Sequence, residues 1–126
     1  PLWNLDSMKR LVDVIDSRAN SVFFDTGVTT EYGEDAAEAI RYFGRRDRIG
    51  TVHFRNVRGQ LPRFTEVFMD EGEVDMKRAM EVYRDNGFNG PYMMDHTPHF
   101  PHHDNLYGKA YAIGYIRALI QTVYGG

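Results

Sequence analysis

At 126 residues, 42% of them hydrophobic and 13% aromatic, the chain has the length and apolar content of a single ordinary domain, here residues 1–126. A net charge of −3 leaves no basic surplus for a phosphate backbone, so nucleic acid is not an expected partner. The lack of cysteine excludes disulfides and thiolate metal ligands, and no apolar run reaches the length of a membrane span. PLWNLDSMKR also lacks a signal peptide's basic-then-apolar order, and a cytoplasmic location is expected.

In chain order, Leu5 to Asp16 places Leu5, Met8, Leu11, Val12 and Ile15 at helical spacing behind a cap at Asn4 or Asp6. Ser21 to Asp25 is a short β-prone run that stops at Thr26-Gly27 and ends in a carboxylate. Glu34-Asp35 opens a helix with Ala36, Ala39, Ile40 and Phe43 on one face and Gly44 at its close. The stretch IGTVHFRNVRG, Ile49 to Gly59, is then a strand whose carboxyl end carries His53 and Arg55 on one side and Asn56 beyond.

Gln60 to Glu73 is too long and apolar for a plain turn and predicts an ordered functional loop, from which Glu66 or Asp70 could reach the same end. Asp75 caps a helix with Met76, Ala79, Met80 and Tyr83 inward, closed by Asn86-Gly87; its methionines are core filling. A third strand, Pro91 to Met94, ends in Asp95-His96. Thr97 to Asn105 holds two prolines and three histidines and predicts irregular chain, with His99, His102 and His103 facing solvent. Tyr107 to Tyr124 is a long helix with Ala110, Ile113, Ile116, Leu119, Ile120 and Val123 as its apolar positions.

Helices alternating with strands argue for right-handed βαβ units and an α/β fold of three parallel strands and four helices. In such a sheet the carboxyl ends of the strands share one rim, and Asp25, His53 and Asp95 meet there. Singly, each has an ordinary explanation: a loop cap, a satisfied buried histidine, an Asx-turn. Together their mixed carboxylate and imidazole donors suit a divalent metal of the Mn, Fe, Co or Zn kind.

VHFRNV at Val52 to Val57, FTEVFMDEGEVDM at Phe64 to Met76, the strand-ending Asp95-His96 and the helix AYAIGYIRAL resemble, in that order, the carboxyl-terminal part of the mannonate dehydratases. That resemblance implies a TIM-barrel architecture, a divalent metal, typically manganese, and conversion of D-mannonate to 2-keto-3-deoxygluconate. It makes His53 and Asp95 metal ligands, His96 a catalytic acid or base, and Tyr107 a second catalytic group, with Tyr111 as the alternative. At Asp25 the family commonly supplies a cysteine, so aspartate here keeps an anionic ligand while exchanging soft sulfur for hard oxygen, which favours manganese. Arg55 is then placed to hold the substrate carboxylate.

A complete barrel takes roughly 250 residues, so the expected fold is a partial TIM-barrel-like fragment. Its two open sheet edges predict self-association into a homo-oligomer or pairing with a complementary fragment. The alternative to an active lyase is an inactive truncated remnant that keeps part of the metal site.

Overall fold

A computed structural model describes residues 3–101 and 105–125. Helix α1, Leu5–Val14, begins at a capping box in which Ser7 N donates to Asn4 Oδ1 at 2.9 Å and Asn4 N donates to Ser7 Oγ at 3.3 Å. It ends two residues before the predicted Asp16. Of its expected apolar face, Leu5 and Val12 are buried while Leu11 and Ile15 are exposed.

Strand β1, Val22–Asp25, runs straight into a short helix α2, Thr26–Glu31, where the sequence predicts only a turn. Four β-branched residues, Thr26, Val28, Thr29 and Thr30, sit in that helix, which is why propensity hides it. It is held by its own side chains: Asp25 caps Val28 N at 2.8 Å, Thr29 Oγ1 donates to Asp25 O at 2.8 Å, and Thr30 Oγ1 donates to Thr26 O at 2.9 Å. Helix α3, Ala36–Gly44, follows with Asp35 as its cap, and then strand β2, Ile49–His53.

The predicted strand Ile49 to Gly59 stops at His53, and its second half joins the start of the predicted loop in an antiparallel hairpin. Strand β3, Asn56–Gln60, turns through Leu61-Pro62 into β4, Arg63–Val67, with Val57 opposite Glu66 and Gln60 opposite Arg63. Helix α4, Met76–Asp85, is capped by Asp75 and closes at Asn86, as its sequence predicts. Strand β5 is the two residues Tyr92–Met93, and α5, Asn105–Ile120, ends in a π-helical turn over Gln121–Gly125. Of the apolar positions expected on α5 and its last turn, Ile116 and Val123 are buried and Leu119 and Ile120 pack against the core, while Ala110 and Ile113 face outward and Ala112 turns inward instead. The described residues therefore form five α-helices rather than four, plus the hairpin.

The three parallel strands are present as predicted, in the order β1-β2-β5, with Asp25 level with His53 and His53 level with Met93. One face of this sheet carries the core. Phe24 and Val52 pack among Ala39, Ile40 and Phe43 of α3 and Ala79, Met80 and Tyr83 of α4. Because side chains alternate, Phe23, Asp25, Thr51, His53 and Met93 share the other face. No helix covers it among the described residues; Phe23 is 52% exposed and Met93 47%. The sheet thus presents its rim carboxylate and imidazole on an open face, with helices behind. Among the described residues no helix is long and apolar enough to cross a membrane.

Candidate metal centre

Asp25, His53 and Asp95 converge at the carboxyl ends of β1, β2 and β5, each offering one donor atom within 4.8 Å of the others. The parallel register of β1 and β2 sets the first two side by side. His53 Nδ1 lies 3.5 Å from Asp25 Oδ2 and 3.5 Å from Asp95 Oδ2. The ring of Phe23, one step down the same sheet face, lies against the His53 ring at 4.0 Å between centroids and fixes its plane.

Asp95 reaches the cluster through its backbone. Successive residues of an extended chain point to opposite sides, but Asp95 adopts a left-handed φ of 60°, a conformation aspartate tolerates better than most residues. Both Asp95 and His96 thereby turn to the rim, with His96 Nε2 3.0 Å from Asp95 Oδ2.

These donors fit a divalent cation. Metal–ligand bonds of about 2.1 Å set neighbouring ligand atoms about 3 to 3.4 Å apart, close to the two imidazole–carboxylate separations here. One nitrogen with two carboxylates is also the mixed set that suits transition metals better than calcium or magnesium.

Arg55, expected to hold a substrate carboxylate, faces four carboxylates of its own chain. Its side chain is 8% exposed, with Nε 3.0 Å from Asp25 Oδ2 and 3.6 Å from Asp95 Oδ2. Nη2 lies 3.0 Å from Glu31 Oε1, and Nη1 is 3.4 Å from Glu66 Oε1. Burial alone would lower the guanidinium's pKa, but Asp25 and Glu31 together more than offset it and raise the pKa. Space for the group comes from Gly27, where a Cβ would stand 2.6 Å from Arg55 Nη1. Gly27 and Glu31 are four apart on α2 and so share the helix face turned to Arg55. Neither stands out until that helix is recognised.

The hairpin supplies the remaining neighbour. Glu66 Oε2 lies 2.7 Å from His96 Nδ1, so the imidazole sits between two carboxylates. Asn56, 1% exposed, ties the chain behind the hairpin in place: it donates to Met69 O at 2.8 Å and Val74 O at 2.9 Å, and accepts from Val57 N and Val74 N at 3.0 Å.

Tyr107 lies in the first turn of α5 and is 55% exposed. Tyr111, one turn on, donates to Asp70 Oδ1 at 2.6 Å and lines a small recess with Arg55, Phe68 and His96. Burial first, and then that acceptor, push the Tyr111 phenol well above its usual range. His99 is exposed, as expected, while His102 and His103 lie outside the described residues.

A protein-family model described as D-mannonate dehydratase (UxuA) matches residues 2–125. Mannonate dehydratase 2 of Halalkalibacterium halodurans is 33% identical over 97 residues, covering 74% of this chain and 28% of that protein. The mannonate dehydratase of Enterococcus faecalis is 33% identical over 130 residues, covering 94% of this chain and 35% of its own length. The chain thus spans less than two-fifths of these relatives. The crystal structure of mannonate dehydratase from Streptococcus suis serotype 2 superposes with a TM-score of 0.86 at 22% identity, over 94% of this chain and 37% of that one, which shows a shared fold. With the family's model matched from residue 2 to residue 125, the chain belongs to the D-mannonate dehydratase family.

Proposed function

We propose that this chain forms the metal-binding rim of a mannonate dehydratase site and takes part in the metal-dependent dehydration of D-mannonate to 2-keto-3-deoxygluconate, a reaction of the cytoplasm. The observation that carries this reading is the convergence of Asp25, His53 and Asp95 from three strand ends, with His96 3.0 Å from Asp95, in a chain of this family. Asp25, His53 and Asp95 would hold a divalent cation, manganese in the first place and iron or cobalt otherwise, whose charge stabilises the enolate-like anion that develops on the substrate.

The chain's own residues move the protons. The proton on the carbon beside the carboxylate passes to one of His96 and Tyr107, and its electron pair forms the new double bond. The neighbouring hydroxyl leaves as water with a proton from the other residue, and the enol left behind tautomerises to the 2-keto acid. Arg55 keeps the two carboxylate ligands apart and oriented; a substrate carboxylate would have to take the place of Glu66 at Nη1 to be clamped as the sequence predicts.

The sheet is read as part of a TIM-type barrel. Strands β1 and β5 each pair on one side only among the described residues, and the chain spans less than two-fifths of its relatives. That pairing need supports completion by a second copy or a complementary chain. A monomer mass by light scattering at assay concentration would count against it. The same short span supports a second reading, a metal-binding remnant without turnover.

Titration calorimetry with Mn²⁺ and a 2-keto acid assay with D-mannonate decide between them. Metal binding that disappears in His53→Ala, together with keto acid formation, is the expected result; binding without product selects the remnant. Metal binding that is unchanged in His53→Ala overturns the ligand assignment on which both stand.

A further inference from the structure

We infer that Glu66 is the positioning residue of His96: it accepts the Nδ1–H proton and leaves Nε2 as the nitrogen that exchanges a proton with substrate. The inference rests on the proposed dehydration for its chemical purpose, but its geometry stands alone.

Glu66 comes from the hairpin rather than from a parallel strand end. Its position opposite Val57 on β3 points the side chain toward the rim, and its two oxygens divide their contacts: Oε2 to His96 Nδ1 at 2.7 Å, Oε1 to Arg55 Nη1 at 3.4 Å. A carboxylate oxygen only accepts, so each ring nitrogen is the donor in its contact, Nδ1 to Glu66 and Nε2 to Asp95; Asp95 is the carboxylate proposed for the cation, so Nε2 is the nitrogen free to give its proton up while Nδ1–H stays with Glu66. A neutral imidazole with its proton on Nδ1 has its lone pair on Nε2.

Nε2 in turn lies 3.0 Å from Asp95 Oδ2, the same oxygen that faces His53 Nδ1. The ring is thus aimed, edge first, at the cluster where a sugar acid held by the metal would present its reacting carbon and hydroxyl. When Nε2 takes a proton, the new positive charge lies against Glu66, whose carboxylate stabilises it; when Nε2 gives the proton up, Glu66 holds the ring in the same plane. The protons balance either way, because Glu66 keeps its Nδ1–H partner throughout and neither gains nor loses a proton.

Stability does not explain the pair. The Glu66 side chain is 34% exposed and that of His96 56%, and an ion pair of such exposure adds little to a fold. Glu66→Ala should therefore fold as the parent does, and the variant reads position rather than collapse.

The test uses the full chain labelled with ¹⁵N-histidine, its His96 signals assigned by their loss in His96→Gln. A downfield, exchange-protected Nδ1–H proton of His96 is expected in the parent chain, retained in Glu66→Asp and lost in Glu66→Ala. Where the parent chain turns over D-mannonate, Glu66→Ala should lower kcat by about 100-fold, and Glu66→Asp should restore part of the rate. An Nδ1–H signal that is missing from the parent chain, or that survives in Glu66→Ala, overturns the inference. So does a kcat that Glu66→Ala leaves unchanged. A parent chain without turnover refutes the proposed activity instead, and the proton resonance still decides the role of Glu66.

Discussion

Replacing Arg55 with methionine removes one cation from among four carboxylates, and the structure shows which of them suffers. Glu66 and Asp95 side chains are 34% and 26% exposed and can recover water, but Glu31 is 10% exposed. Glu31 Oε1 has no hydrogen-bond partner among the described residues beyond its ion pair with Arg55. Asp25, 13% exposed, keeps its bond from Val28 N and loses the one from Arg55 Nε. Removing one partner of a buried ion pair costs about 3 to 5 kcal/mol, and the open sides of the cluster place this case near the lower end, at about 3 kcal/mol. With a urea slope of about 1.5 kcal/mol per molar, the unfolding midpoint should fall by about 2 M. Circular dichroism through a urea titration reads this directly. Adding Glu31→Gln to Arg55→Met removes the stranded charge and should recover about 1 to 2 kcal/mol. A midpoint for Arg55→Met within about 0.3 M of the parent would refute the picture of Arg55 as the counter-ion of buried carboxylates.

Asn56→Ala strands the Met69 and Val74 carbonyls and the Val74 amide behind the hairpin, and should lower stability by about 2 to 3 kcal/mol in the same titration. Tyr83 is fully buried with its hydroxyl unpartnered among the described residues, so Tyr83→Phe should raise the urea-derived stability by about 1 kcal/mol. Burial lifts the Tyr83 phenol well above its usual range, and burial followed by the bond with Tyr124 lifts Tyr92 as well. The unfolded chain loses these protons near pH ~10, so the stability they confer is complete below that pH and declines above it, by up to about 1.4 kcal/mol per pH unit for each tyrosine. Melting temperatures should therefore stay flat up to about pH 10 as far as these two groups are concerned and fall beyond it, with Tyr92→Phe making the fall shallower.

The rim was readable because its signal is local: three apolar runs each end in a chemistry-bearing residue, and parallel pairing sets Asp25 beside His53 while β5 delivers the chain to Asp95, whose own backbone turn completes the cluster. Helices α3 and α4 were readable from aspartate caps and apolar spacing, which the structure keeps. The hairpin was not, since its turn is Leu61-Pro62 rather than the glycine-bearing pairs that mark tight hairpins, although Arg63 to Val67 alternates as a strand should. Helix α2 was hidden by Thr29 and Thr30, poor helix formers that here bond back to the preceding turn. Those two omissions concealed Glu31 and the surroundings of Arg55. A guanidinium at a strand end reads as a ligand clamp until the carboxylates that hold it have been located. On α5 only Ala110 and Ile113 were misplaced, because its apolar residues nearly encircle it and packing rather than pattern chooses among them.

Asp25 serves three neighbours with two atoms: Oδ1 starts α2 at Val28, and Oδ2 meets His53 and Arg55. A cysteine at this position has one sulfur and could ligate a metal, but it could not also begin the helix or balance Arg55. Exchange between the two residues in the course of descent is therefore not a one-letter event. Related chains with aspartate here should also carry the glycine two residues on, the glutamate four beyond it and the arginine after β2, and those with cysteine should be released from that company.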